Sequence, residues 1–204
     1  MPKFLQEKPK SDPLRKEWRK ETAEIHQAHK DAETKSRNTR LAVNVAKEYL
    51  KEPRFYLSWS CDYRGRMYPQ QSFLTQDSSD FERSLLNFSD GCKLDNSGLE
   101  YAAQAVGESF IGSKVNYEER SKWTYRNKDL IQAIANSPLS LISEWEGCDK
   151  PWQFLQLATE WNQVVLNEQK PLWNVPIGAD ATSSGLQLLS AMRRDPKGME
   201  FSNL

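Results

Sequence analysis

The chain has 204 residues, 38% of them hydrophobic and 27% charged, with a formal net charge of zero and a mean hydropathy of −0.78, which allows one or two modest domains with large wet or partner-facing surfaces. No apolar run approaches the roughly 20 residues needed to span a bilayer, and the start, Met1-Pro2-Lys3-Phe4-Leu5, lacks the apolar core of a secretory signal. Three cysteines, Cys61, Cys92 and Cys148, are odd in number and lack metal-like spacing, so the pattern reads as free thiols in a reducing cytoplasm.

In chain order, residues 1–11 are Lys- and Pro-rich and read as loose. Asp12-Pro13 starts a helix, with Asp as cap and Pro in the first turn. The helical pattern runs to about Lys51, with a break expected near His29 to Arg37. Its first part is almost wholly polar and cannot be a core helix. Its last part carries Leu41, Val45 and Tyr49 at i, i+4 and i+8, beside Ala42, Ala46 and Leu50, so that end is expected to dock. Pro53 ends it. Arg54 to Ser60 is aromatic and extended and leads into a turn over Asp62–Pro69. A short helix is expected around Phe81 to Phe88, closed by Asp90-Gly91. Ser97-Gly98-Leu99-Glu100 reads as a capping box for a helix to Phe110 that Gly112 stops. Asn116 to Asn136 reads as one helix that partly buries Trp123, Leu130, Ile131 and Ile134. Ser137-Pro138 opens a short one ending at Gly147. Asp149-Lys150-Pro151 opens another through Val165, with Leu155, Ala158, Trp161 and Val165 on one face. Lys170-Pro171 ends it. A strand is expected from about Trp173, ending at Asp180, followed by a helix capped by Ser183 or Ser184 with Leu186, Leu189 and Met192 on its apolar side. The result is mainly α with a few short strands (α+β), and it divides into a basic helical segment (1–52), a helical region (53–172) and a final segment (173–204).

Zero net charge hides an asymmetry. Residues 1–60 hold 14 Lys+Arg against 9 Asp+Glu, and residues 61–204 hold 14 against 19. A basic first quarter suits a phosphate backbone, and it equally suits a solvated helix.

Two constellations carry chemistry. In Asp62-Tyr63-Arg64-Gly65-Arg66, Gly65 permits a tight turn, and the two Arg offer guanidinium forks that match phosphate oxygens. Tyr68 adds an aromatic face. The bland alternative is a surface turn in which Asp62 pairs locally with an Arg. In Pro176-Ile177-Gly178-Ala179-Asp180-Ala181, an apolar stretch delivers one carboxylate with no Lys or Arg among its near neighbours. Such an acid suits Mg²⁺, a hard cation that takes oxygen ligands and substrate phosphates. An N-capping or turn Asp fits the same residues. His26 and His29 lie three apart on a charged helix without a third ligand, and read as solvent-exposed.

The run from Asp180 to Asp195 resembles the palm motif of single-subunit, phage-type RNA polymerases, in which an Asp begins a run of small residues followed by Ser-Gly-x-Gln. Asp62 to Pro69 resembles that family's D-x-R-G-R-x-Y-P signature. Asp149-Lys150-Pro151-Trp152-Gln153-Phe154-Leu155 is similar to its segment just before the palm. The three occur in the family's order. The likeness is clearest from Arg54 to Asp195 and extends more weakly back to Arg40. A-family DNA polymerases share the Asp-bearing strand, but the D-x-R-G-R-x-Y-P signature argues for the RNA-making branch. Ala181 stands where Gly is usual, and Leu188 where His is frequent.

The resemblance implies a partial right-hand polymerase fold, with residues 173–204 as the start of the palm and residues 1–52 near the base of the thumb. It implies nucleotidyl transfer by two-metal catalysis, with Mg²⁺ held by Asp180 and by the Ala181 carbonyl. Arg66 is the main expected nucleic-acid contact, with Arg64, Tyr68, Asp62 and Gly65 beside it and Lys35, Arg37 and Arg40 on backbone phosphates. Ser184, Gly185 and Gln187 match the motif, and equally suit a cap, tight packing and an exposed helix surface. The implied partners are a DNA template, the RNA product, ribonucleoside triphosphates and the remaining polymerase segments, in cis or in trans. The family's fingers helix and its second metal-binding aspartate are not seen here, so a piece of a polymerase, inactive alone, is expected: a truncated frame, a split-gene product or an engineered piece. The expected setting is the cytoplasm of a phage-infected host. Two other readings remain: a non-catalytic helical nucleic-acid-binding protein derived from such an enzyme, and a helical protein-interaction domain.

Overall fold

The computed structural model describes residues 2, 9, 12–178 and 185–201. It is mainly α, with a single two-stranded sheet among the described residues. Helix α1 spans Pro13–Tyr49, and Asp12 caps it by accepting from the Leu14 N–H at 2.9 Å. The expected break near His29 to Arg37 is absent. Pairs one turn apart span the polar stretch: Gln27 with Asp31 at 2.8 Å, His29 with Glu33 at 3.7 Å, and Lys20 with Glu24 at 3.9 Å. Each adds a few tenths of a kcal/mol, about what a polar helix needs to continue. The docked side also differs from the expected one. Ala42 is fully buried, whereas Leu41, Tyr49 and Leu50 are exposed. Small side chains let α1 sit close to the short helix α2, Asp80–Arg83, against which it packs. Ser79 and Glu82 form a reciprocal cap on α2, and Glu82 also accepts from the buried Leu74 N–H at 2.9 Å. The helix expected to reach Phe88 therefore ends early; Phe88 is bonded through its own N–H to the Asn174 carbonyl instead.

The core lies between α3 (Asn96–Ile111), α4 (Tyr117–Arg126), α5 (Lys128–Asn136) and α7 (Pro151–Trp161). Ala102, Ala103, Val106, Ile131, Ile134, Phe154, Leu157, Ala158 and Trp161 fill it, and Trp145 of α6 (Ile142–Trp145) closes one side. Asp95, not Ser97, caps α3, accepting from the Gly98 N–H at 2.6 Å. The expected Asn116–Asn136 helix is two helices. Asn127 leaves helical geometry (φ −106°, ψ 24°) and bonds back to the Trp123 carbonyl, as a short amide side chain competing with the helical ladder does. α3 and α4 cross at Gly107, where a Cβ would stand 2.1 Å from the Arg120 carbonyl oxygen. Thr124 locks the crossing by donating to the Ala103 carbonyl at 2.7 Å. Arg120 holds the α3–α4 connection through Glu108 and the carbonyls of Ser113 and Val115, and Glu108 also takes Lys150 at 2.8 Å.

Lys150 gives α7 no side-chain cap. Asp80, some seventy residues earlier in the chain, accepts from the Trp152 N–H at 2.8 Å and from Gln153 instead. α7 runs on into a π-helical turn, Asn162–Leu166. The strand expected from Trp173 is not formed among the described residues. Trp173 makes one antiparallel bridge to Cys92, and the next backbone groups are taken by a side chain and by Phe88. At the end, α8 (Gly185–Arg193) packs on α9 (Pro196–Phe201). The face expected to be apolar is exposed, Leu186 at 59% and Met192 at 82%, while Gln187 at 6% and Ser190 are buried. Close approach to α9 selects this side: a Cβ on Gly198 would stand 2.5 Å from the Ser190 hydroxyl.

Candidate nucleic-acid interface

Strands β1 (Trp59–Cys61) and β2 (Met67–Pro69) pair antiparallel, with Trp59 opposite Pro69 and Cys61 opposite Met67. They present the turn that carries Asp62, Arg64, Gly65 and Arg66. Asp62 organises it. One carboxylate oxygen accepts from the Arg64 N–H at 2.8 Å and from the Arg66 N–H at 2.9 Å, while the Asp62 N–H donates to the Arg66 carbonyl at 2.9 Å. A short acceptor bonding its own backbone ahead is what sets such turns. Gly65 has φ +80° and nothing within 4 Å of where its Cβ would be, so conformation and not space requires glycine here. The simple alternative, Asp62 paired with an Arg side chain, is not what forms: the carboxylate takes backbone N–H groups and leaves both guanidinium groups to face outward.

The two arginines differ. Arg64 donates from Nε to the Tyr63 hydroxyl at 2.8 Å, and its guanidinium lies 5.2 Å from that ring's centre. The Arg66 guanidinium makes no ion pair or hydrogen bond among the described residues, and Tyr68 stands exposed on the strand after it. Tyr56 and Tyr63 add exposed rings on the same arm. An unpaired guanidinium among aromatic faces, held on a rigid turn, can take a phosphate with its fork while neighbouring rings stack on bases. Arg54 ties the base of this arm to Asp90 at 2.6 Å, and the Tyr56 hydroxyl first, then Asp90, raises the Arg54 side chain above its ordinary pKa.

Lys35, Arg37 and Arg40 are exposed on α1. Arg37 and Arg40 line a shallow concavity of about 750 Å³ with Ser36, to which Arg40 donates at 3.3 Å; Lys35 lies outside it.

Asp180, Ala181 and Ser184 lie outside the described residues. Gly185 opens α8, and Gln187 is buried and not on the exposed surface. The described lead-in is held over residues 170–175. Glu160 in the last turn of α7 is buried and accepts from Lys170 Nζ at 2.7 and 2.8 Å and from the Asn174 N–H at 2.6 Å. The Asn174 amide donates to the Phe88 carbonyl at 2.8 Å, and Trp173 and Val175 are buried in the core. Gly178 then passes Arg83: a Cβ there would stand 3.8 Å from Arg83 Nη2. Sequence reasoning missed Glu160 and Asp80, since each acts on residues distant in the chain. A buried-register acid such as Glu160 on an otherwise apolar helix face was the one available signal. His26 and His29 are exposed, as expected. No three His, Cys, Asp or Glu side chains come together among the described residues.

Residues 92–204 match the family model described as DNA-dependent RNA polymerase. Relatives agree with it. DNA-directed RNA polymerase 2, chloroplastic/mitochondrial, of Arabidopsis thaliana is 28% identical over 98% of this chain and 20% of its own length. A probable DNA-directed RNA polymerase of Gelasinospora is 33% identical over 82% of this chain and 20% of its own. The mitochondrial DNA-directed RNA polymerase of Schizosaccharomyces pombe is 32% identical over 79% and 14%. The chain thus spans about a fifth or less of the length of these relatives.

Proposed function

We propose that this chain, which belongs to the DNA-dependent RNA polymerase family, supplies the template and hybrid contacts and the first metal-binding aspartate of an enzyme that adds ribonucleoside triphosphates to RNA on a DNA template. The observation that supports this most is the Asp62-braced turn, which leaves the Arg66 guanidinium unpaired and outward. Arg66 would take a backbone phosphate, Arg64 and Tyr68 would stand beside it, and Lys35, Arg37 and Arg40 would follow the same strand along α1. Such contacts position a nucleic acid without reading its sequence.

Asp180, with the Ala181 carbonyl, would hold Mg²⁺, and polymerase segments beyond the fifth of the length spanned here would complete the site. When bound, the ion supplies charge stabilisation at the phosphoryl group in transfer. This chain's own contribution is orientation: the Glu160 clamp fixes the path of residues 170–174 that leads toward Asp180. Gly185 and Gln187 belong to α8, and Ser184 matches the same motif. In this reading residues 1–52 lie at the thumb base, 53–172 carry the contact arm and 173–204 begin the palm. Three free thiols, Cys61, Cys92 and Cys148, are compatible with a reducing compartment such as the cytoplasm of an infected host. No helix among the described residues is long and apolar enough to cross a membrane.

A gel shift with a short RNA–DNA hybrid tests the reading. Wild type should retard the hybrid at low salt and release it as salt rises. The Arg64→Ala/Arg66→Ala double variant should lose most of the shift, and retention of wild-type affinity by that variant would overturn the assignment.

A further inference from the structure

Arg83 ends the short helix α2, and no motif draws attention to it. Its surroundings do. The helix that carries it packs against α1, the element bearing Arg37 and Arg40. Its Nη2 stands 3.8 Å from where a Cβ on Gly178 would be, two residues before Asp180. The fold therefore brings this guanidinium to the segment leading to the candidate metal ligand, although ninety-five residues separate Arg83 from Gly178.

The guanidinium has no partner among the described residues. Other partly buried cations in this chain are matched: Arg120 and Lys150 with Glu108, and Lys170 with Glu160. Arg83 is partly buried and has no ion pair or side-chain hydrogen bond among the described residues. A guanidinium drawn partly out of water and left unmatched costs free energy unless an anion completes it. Gly178 keeps the approach open, since no side chain there covers the fork.

We propose that Arg83 is a phosphate-binding residue of the same site, its planar fork taking the non-bridging oxygens of a phosphate that lies along residues 176–178. This rests on the polymerase reading and deepens it. The phosphate belongs either to a polynucleotide strand or to a nucleoside triphosphate, and the two are separable by experiment.

Fluorescence anisotropy of a labelled RNA–DNA hybrid and of a labelled ATP analogue with Mg²⁺, each titrated with wild type, Arg83→Ala, Arg83→Lys and Arg66→Ala, provides the test. Arg83→Ala should weaken one of the two probes about tenfold, as loss of one charge-assisted contact does, and Arg83→Lys should recover part of it. Loss on the hybrid assigns the phosphate to a strand; loss on the ATP analogue assigns it to the nucleotide. Because Arg83 has no ion pair or hydrogen bond among the described residues, its alanine variant should melt with wild type, and Arg83→Gln, which keeps the stem, should show the same binding loss. Unchanged affinity for both probes overturns the proposal. If Arg66→Ala weakens the hybrid while Arg83→Ala changes neither probe, this inference falls and the polymerase reading stands; a wild-type chain that binds neither probe overturns both.

Discussion

Replacing Glu160 by Ala should loosen the lead-in to Asp180 more than any other single polar change. The carboxylate is 7% exposed and holds two charge-assisted contacts to Lys170 Nζ and one to the Asn174 N–H. Removing one partner of a buried ion pair costs about 3–5 kcal/mol. Lys170 is 33% exposed and can recover part of its hydration, so the Coulomb share must be discounted for screening. The Asn174 N–H is half-buried, and a donor left unmatched there costs up to about 1–3 kcal/mol. A net loss of about 2–3 kcal/mol follows, which for a chain of this length lowers Tm by about 4–12 °C. Glu160→Gln keeps an acceptor for Asn174 and should recover roughly half of that. Thermal melting by circular dichroism measures both, and limited proteolysis should show new cleavage within residues 170–178 in the alanine variant. An alanine variant that melts with wild type and resists protease equally would refute the clamp.

Three further outcomes are expected. Gly107→Ala should destabilise by about 2–3 kcal/mol or more by forcing α3 and α4 apart, since its Cβ would stand 2.1 Å from the Arg120 carbonyl oxygen, whereas Gly147→Ala, with nothing within 4 Å, should stay within about 0.5 kcal/mol; urea unfolding midpoints compare them. Asp62→Asn preserves an oxygen for the Arg64 and Arg66 N–H groups and should bind the hybrid nearly as well as wild type, while Asp62→Ala should bind several-fold more weakly; equal loss in both would mean the charge, not the brace, matters. Burial raises the Cys148 thiol to about 11 from an ordinary 9.0, so at pH 8 iodoacetamide should modify it far more slowly than the exposed Cys61 and Cys92. Because its folded-state value is raised, the linked stability is complete below pH 9 and declines as pH rises through about 11.

Local chemistry was legible in the sequence wherever one residue acts on its near neighbours. Asp12-Pro13 announced the start of α1, and Pro53 the end of the helical pattern. Asp62 to Pro69 announced a turn, and its arginines emerge as the exposed pair. Ile131 and Ile134 showed the core face of α5. What stayed hidden was decided by tertiary partners. Asp80 caps α7 from another element, so the segment Asp149 to Leu155 carries its helix start without its own cap. Ser97-Gly98-Leu99-Glu100 looked like a capping box, yet Asp95 lay closer to the helix entry and took the Gly98 N–H. The apolar run after Pro171 suggested a strand, but its backbone groups go to Cys92, Phe88 and Glu160, leaving one bridge. In α8, Leu186, Leu189 and Met192 obeyed helical spacing, but the small Gly198 let α9 approach on the Ser190 side. Asp180 itself, the acid on which the catalytic reading turns, lies outside the described residues, whereas the proposed contact at Arg66 lies within them.

The most direct measurement is the salt dependence of hybrid affinity for wild type and Arg66→Ala. If Arg66 neutralises one phosphate, the slope of log K against log salt should fall in magnitude by about 0.7–0.9 in the variant, with affinity reduced alike for unrelated sequences. An unchanged slope, or a loss confined to one sequence, would contradict the account.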